Sequence, residues 1–112
     1  MKAYCDGKSL AEGWKAVKSG LPTRKFIPSS VLIETVADGI ALTTSDRESW
    51  ITITVHGRVE RHGAIAVPWK ALRFNTGLVC LEDTPGHSLV VSSDHNRIEV
   101  VGTPAEDFPH AP

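Results

Sequence analysis

The chain has 112 residues, of which 41% are hydrophobic and 22% are charged, and its formal net charge is −1. These values are typical of one globular domain, and they exclude a disordered chain and a uniformly basic nucleic-acid coat. No apolar run is long enough for a bilayer, and the N-terminus has no signal-like segment, so we expect a soluble, cytoplasmic protein. The two cysteines, Cys5 and Cys80, lack metal-type spacing and are expected to be buried thiols.

The chain begins with a predicted strand and a predicted amphipathic helix. Ala3–Asp6 is the strand candidate, and Ser9 with Glu12 forms a capping-box pattern that marks the start of the helix. Gly20 and Pro22 are expected to end it. The apolar stripe of this helix consists of Leu10, Trp14, Val17 and Leu21.

Two segments of the first half recur in the second half at an offset of 48 residues. Val31–Glu34 resembles Val79–Glu82, and Ala41–Asp46 resembles Leu89–Asp94. A further strand candidate follows each pair, so each half contains three strands joined by tight turns. The predicted hairpin turns are Asp38-Gly39 and Pro85-Gly86.

The second half also opens with a strand and a helix. Ala64–Val67 is the strand candidate, and Pro68 occupies the first helical position, where proline is favoured. Trp69–Phe74 is predicted to form a short helix that ends at Asn75 and Gly77.

The element order therefore predicts an internally duplicated α+β fold, with a strand–helix–strand–strand–strand unit in each half. We expect two antiparallel sheets with two helices on one side, because each helix has one apolar stripe to bury. A single domain spans residues 1–112, with repeats at 1–55 and 63–102 and a linker-like tail at 103–112. A pseudo-twofold axis should superpose residues 31–55 on 79–102.

Segments along the whole chain share the pattern of a known family. They are Leu21–Arg24, Ile27-Pro28, Val31–Glu34, Ala37–Gly39, Leu42–Asp46, Gly63–Pro68 and Pro104–Pro109. In this order they resemble the first domain of the bacterial DNA sliding clamp, the beta subunit of DNA polymerase III. The resemblance implies the DNA clamp fold and a non-enzymatic role in DNA replication as a processivity factor.

The chain departs from that family in its number of domains, in its second helix and in the more polar segment Pro28-Ser29-Ser30. A family member has three such domains, and two chains close a ring. This sequence matches one domain only, so the chain is either a natural one-domain relative or an excised first domain. The second helix is also shorter than the family's, since only about eight residues separate Val67 from Gly77. The family's pocket for partner peptides lies mainly on the last domain and is not transferred to this chain.

Basic residues cluster on and near the two predicted helices. On pattern alone they are ordinary solvated helix faces. The resemblance implies that they face duplex DNA, because Arg24 and Lys70 match basic positions of the family's DNA-facing surface. The DNA-binding residues predicted in this way are Lys15, Lys18, Arg24, Lys25, Lys70 and Arg73. Such contacts to phosphates are independent of sequence and sensitive to salt.

Other chemistry is not indicated. The five histidines have no metal-site spacing, and we expect neither a metal nor a cofactor. No nucleophile elbow or phosphate-binding glycine loop is present, so we expect no enzymatic activity. Glu34 and Glu82 occupy equivalent repeat positions and are interpreted as solvent-facing strand residues. Trp14 is assigned to the core, whereas Trp69 could lie in the core or stack on a base.

Two functions remain open from the sequence. In the first, the domain binds duplex DNA and self-assembles head to tail into a ring, by pairing edge strands of adjacent copies. The runs Ile51–Val55 and Ile98–Val101 carry few charges and are the candidate edges. In the second, the chain is an interaction module that binds replication proteins or a full-length clamp.

Overall fold

A computed structural model describes residues 1–23 and 29–110, which form nine strands and one α-helix. The strands are β1 (Lys2–Asp6), β2 (Ser30–Val36), β3 (Gly39–Ser45), β4 (Trp50–Arg61), β5 (Ala64–Pro68), β6 (Leu78–Asp83), β7 (Ser88–Ser92), β8 (Arg97–Val101) and β9 (Thr103–Pro104). The helix is α1 (Gly7–Ala16), which continues as a 3-10 segment over Val17–Gly20. Single 3-10 turns lie at Trp69–Ala71 and Ala105–Asp107.

The strands form one antiparallel sheet in the order β8-β7-β6-β1-β4-β3-β2-β5-β9. Its two halves are joined by β4, because Trp50–His56 pairs with β3 and Gly57–Arg61 pairs with β1. Each half combines three consecutive strands of one repeat with the first strand of the other repeat. This exchange ties the two repeats into one sheet, and the predicted antiparallel α+β class is confirmed.

The strands of the two halves repeat, but the sequence offset between equivalent residues is not constant. Buried Ile33 of β2 corresponds to buried Leu81 of β6 at the predicted offset of 48. In the next strand, Leu42 pairs with Ile33 whereas Val91 pairs with Leu81, so the offset grows by one residue. The second hairpin has the longer turn, and the extra residue keeps the apolar side chains on the buried face. The repeat limits at 1–55 and 63–102 stay a prediction.

The N-terminus of α1 differs from the predicted capping box. Asp6 is the N-cap residue, and its carboxylate accepts hydrogen bonds from the Ser9 amide (3.0 Å) and the Ser9 hydroxyl (2.9 Å). The helix therefore begins at Gly7, and Ser9 lies in its first turn. An aspartate is as good an N-cap as serine, and here the end of β1 supplies it.

The predicted apolar stripe of α1 faces the sheet. Leu10, Trp14 and Val17 are buried in a core that both halves of the sheet share, and Leu21 is partly exposed. Cys5 is a free thiol in this core, whereas Cys80, also a free thiol, is partly exposed. Within the described ranges, no helix is long and apolar enough to cross a membrane.

The predicted linker-like tail is packed onto the sheet. After β9, which pairs with β5, Phe108 is only 6% exposed and packs with Leu32 and Ala66 on the face opposite α1. The Trp50 indole N–H donates a 2.7 Å hydrogen bond to the carbonyl oxygen of Pro109. This segment therefore covers the outer face of one half of the sheet.

Candidate nucleic-acid interface

A groove of about 710 Å³ lies between α1 and the 3-10 turn at Trp69–Ala71. Four of the six predicted DNA-binding residues line it, and all four are exposed: Lys15, Lys18, Lys70 and Arg73. The fold thus brings together cations that are more than 50 positions apart in the chain. The other two predicted residues, Arg24 and Lys25, lie outside the described residues.

The four groove cations, Lys15, Lys18, Lys70 and Arg73, carry positive charge that is not neutralised locally. Among the residues that the structure describes, none of them has a carboxylate within 4.0 Å. The ion pairs of the basic side chains lie on other surfaces: Lys2–Glu60, Arg58–Glu60, Arg61–Glu82, Arg61–Asp83 and Arg97–Glu99. The acidic residue of α1, Glu12, lines a different hollow with Ile53 and His56. The groove is therefore an anion-attracting surface.

Aromatic rings form the floor of the groove. The Trp14 indole N–H donates to the Trp69 carbonyl oxygen (3.2 Å), and the Trp69 indole N–H donates to the Trp14 carbonyl oxygen (3.1 Å). Phe74 meets Trp14 edge to face, with 5.3 Å between ring centroids. The Lys18 ammonium lies 5.1 Å from the Trp69 ring centroid, a cation–π contact. These contacts fix both indoles, and Trp14, only 5% exposed, is confirmed as a core residue.

The second helix is shorter than predicted. Helical geometry is confined to one 3-10 turn at Trp69–Ala71, and Leu72 is extended and only 3% exposed. No side chain caps this turn, and the chain soon reaches Asn75 and Gly77, which are weak helix formers. The predicted helix over Trp69–Phe74 is therefore wrong beyond Ala71, although Lys70 in the turn and Arg73 after it both line the groove.

The sequence did not identify the residues of the groove floor. Trp69 was ambiguous, and neither Phe74 nor Ala11 was assigned to a site, yet all three line the groove. The available signal was the repeated Trp-Lys-Ala at residues 14–16 and 69–71, which supplies the two indoles. Sequence spacing alone does not reveal that the two indoles exchange hydrogen bonds.

A close backbone contact holds the segment after the 3-10 turn against the start of α1. The Gly7 amide donates a 2.6 Å hydrogen bond to the Gly77 carbonyl oxygen, and Gly77 has a φ of +92°. A Cβ atom on Gly7 would overlap the carbonyl oxygen of Asn75. Only glycine at position 7 allows this approach, which ties the segment after the 3-10 turn to the start of α1.

Groups with shifted pKa values lie away from the groove. Desolvation raises the pKa of the Cys5 thiol to about 11. Hydrogen bonds from the backbone amides of Glu48 and Ser49 lower the pKa of Asp46, and interaction with Tyr4, then with Glu82, raises that of Lys2. No three His, Cys, Asp or Glu side chains within the described ranges are placed to hold a metal ion.

The strand segments that contain the predicted edge runs are hydrogen-bonded on one side only, as far as the described residues show. Trp50–His56 of β4 pairs with β3 alone, and β8 pairs with β7 alone. These segments contain the predicted edge runs Ile51–Val55 and Ile98–Val101. On β8, Val101 is 79% exposed. Each edge therefore leaves backbone groups free to pair with another strand.

Known structures share this fold. A DNA polymerase III beta subunit from Eubacterium rectale matches with a TM-score of 0.88 and 26% identity. The sliding clamp of Caulobacter crescentus matches with 0.85 and 21%, and the Helicobacter pylori beta clamp, bound to a DNA ligase peptide, with 0.86 and 17%. Each match covers 100% of this chain and 33% of the other chain.

The sequence comparisons give no match, either to a protein-family model or to a curated protein. The structural matches cover every strand and the helix, while the chain spans about a third of the length of the clamps it matches. The resemblance found in the sequence is thereby confirmed: this chain has the fold of a single domain of the bacterial DNA polymerase III sliding clamp.

Proposed function

We propose that this chain is a clamp-like domain that binds duplex DNA without sequence preference, through the cation-lined groove. The observation that carries the proposal is the convergence of Lys15, Lys18, Lys70 and Arg73, none with a described carboxylate partner, on one face of a clamp fold. Lysine and arginine bind phosphates as charges, and phosphates carry no base information. The function is therefore topological and electrostatic, not enzymatic, and we propose a cytoplasmic role in replication.

Arg24 and Lys25 belong to the same proposal through the family resemblance. They follow α1 closely in the sequence, so they add to the basic character of this part of the chain. A single domain with so few phosphate contacts should bind weakly at physiological salt, because each contact gains free energy mainly by releasing counterions.

Duplex binding at low salt tests the proposal. Fluorescence anisotropy with two duplexes of unrelated sequence, each about 20 base pairs long, should give equal affinities. The double substitution Lys15→Gln and Lys70→Gln should weaken binding to both duplexes by about tenfold or more, since two phosphate contacts are lost. Lys8→Gln is the matched control, because Lys8 is an exposed lysine of α1 outside the groove. Absence of binding at low salt would refute the proposal.

Assembly into a ring is proposed as the route to tight binding. The open segment of β4 in one copy can pair with β8 of the next, which is a head-to-tail contact between different surfaces. Such a contact closes into a ring only if its rotation divides the circle. The solution mass at micromolar concentration should then be a multiple of 12.1 kDa. Replacing exposed Val101 with Lys should lower that mass, because a charge on an edge opposes pairing.

An interaction module is the second candidate, and the open β8 edge favours it. A strictly monomeric chain that does not bind duplex DNA would have its edges available for a replication protein or a full-length clamp. Addition of an edge strand is a general mode of recognition that uses backbone hydrogen bonds. In that case, Val101→Lys should abolish the partner complex, whereas Lys15→Gln with Lys70→Gln should leave it intact.

A further inference from the structure

The groove has a feature that contact with duplex phosphates does not require, namely its aromatic floor. Trp69 and Phe74 are partly exposed and lie beside the four groove cations. A duplex keeps its bases stacked inside and offers only its backbone to a basic surface. An unpaired base, in contrast, offers a flat face that stacks on aromatic side chains. The floor therefore matches a chemistry that the duplex lacks.

We propose that the groove binds single-stranded nucleic acid, with one base displacing the Lys18 ammonium from the Trp69 ring and stacking on the floor formed by Trp69 and Phe74. The flanking phosphates are held by the groove cations, two from the α1 side and two from the opposite side. This proposal rests on the proposed function, because the same cations serve both ligands. In the proposed function the phosphates make the decisive contact, whereas in this inference a stacked base does.

The floor is accessible because the second helical segment is short. Helical structure ends at Ala71, and Leu72 turns into the core, so no further helical turn covers Phe74 on the groove floor. The volume of about 710 Å³ lies within the range of ligand sites that hold small organic molecules. The groove therefore has room for a nucleobase with its sugar.

The floor is also rigid. The reciprocal hydrogen bonds between Trp14 and Trp69, and the edge-to-face contact of Phe74, leave these rings little freedom to lose on binding. A pre-organised surface binds more tightly for the same contact area. Aromatic rings flanked by cations match a ligand in which bases alternate with phosphates. The groove therefore favours single-stranded nucleic acid over an acidic peptide.

Three probes separate the contributions of base and backbone. They are an oligothymidine of about 12 nucleotides, an abasic strand of the same length and charge, and a duplex of the same length. Phe74→Leu removes the aromatic face while keeping an apolar side chain. It should weaken oligothymidine binding about five- to tenfold and change binding of the abasic strand and duplex by less than about twofold. Phe74→Tyr should retain oligothymidine binding.

The outcomes distinguish this inference from the proposed function. Equal affinity for oligothymidine and the abasic strand would overturn the inference. In that case the proposed function would still be supported if Lys15→Gln with Lys70→Gln weakens duplex binding. A chain that binds oligothymidine more tightly than the abasic strand, but does not bind the duplex, would support the inference and refute the proposed function. Tighter binding of an acidic peptide that contains one phenylalanine would overturn the inference in favour of a protein partner.

A spectroscopic readout in the unsubstituted chain covers the case in which Phe74→Leu fails to fold. The chain has three tryptophans, and the indole N–H of Trp50 is bonded to Pro109 on the other face of the sheet. Oligothymidine should shift the indole N–H resonances of Trp14 and Trp69 and leave that of Trp50 in place, while the abasic strand should shift them less. A shift confined to Trp50, or none, would overturn the inference.

Discussion

The two Trp-Lys-Ala segments have the same sequence but different structures. In the first, Trp14 to Ala16 form the last turn of α1, and the helix continues as a 3-10 segment to Gly20. In the second, Trp69 to Ala71 form an isolated 3-10 turn. The difference lies in what precedes and follows the shared tripeptide, not in the tripeptide itself.

Nucleation explains this contrast. The first segment comes after two helical turns that begin at a capped end, where Asp6 bonds to Ser9. The second begins directly at Pro68, without a side-chain cap, and the weak helix formers Asn75 and Gly77 follow within a few residues. Starting a helix is unfavourable, and isolated short helices rarely form without packing. The short second segment is what opens the groove beside α1.

The largest effect is expected from the buried face of α1. Leu10 is fully buried against both halves of the sheet, so Leu10→Ala should lower the free energy of unfolding by about 3 kcal/mol. Lys8→Ala, an exposed position on the same helix, should change it by less than about 0.5 kcal/mol. Urea denaturation measures both. A loss below about 1 kcal/mol for Leu10→Ala would contradict the central position of α1 in the core.

The close contact between the start of α1 and the segment after the 3-10 turn at Trp69–Ala71 is tested by substitution of Gly7. A methyl group there would overlap the Asn75 carbonyl oxygen, so Gly7→Ala should cost about 2 kcal/mol despite the higher helix propensity of alanine. Gly86→Ala is the control, because a Cβ atom at that position would meet only the Thr84 hydroxyl oxygen at 3.9 Å. Thermal unfolding compares the two variants, and a Gly7→Ala protein as stable as wild type would show that the approach does not exist.

The cap of α1 should have a smaller effect. Asp6→Ala removes the acceptor of the Ser9 amide and should lower the free energy of unfolding by about 1 kcal/mol. Asp6→Asn keeps a capping oxygen and should retain most of the stability. The same measurement on Ser9→Ala distinguishes the observed cap from the predicted capping box. If Ser9 were the N-cap, Ser9→Ala would lower the free energy of unfolding more than Asp6→Ala does.

The strands were predictable from the sequence because local signals set them. Alternating apolar residues and the turn dipeptides placed β2, β3, β6 and β7 close to their observed positions. The start of α1 was missed because Asp6 ends β1 and caps the helix at once. The prediction ended β4 at Val55, whereas the strand continues through Gly57 to Arg61, where pairing with β1 extends it.

The candidate site was predictable only in part. Basic residues at helical spacing, together with the family resemblance, selected the cations that line the groove. The aromatic floor and the absence of a full second helix depend on contacts between distant residues, above all those between Trp14 and Trp69. A local pattern does not encode such contacts.

The salt dependence of duplex binding measures directly whether the groove cations contact phosphates. The logarithm of the binding constant should fall linearly with the logarithm of the salt concentration, because phosphate contacts release counterions. Substituting Lys15 and Lys70 with glutamine should reduce the slope by about two, and Lys8→Gln should leave it unchanged. Parallel lines for wild type and the double variant would show that the groove cations do not contact phosphates, and would rule out duplex binding through the groove.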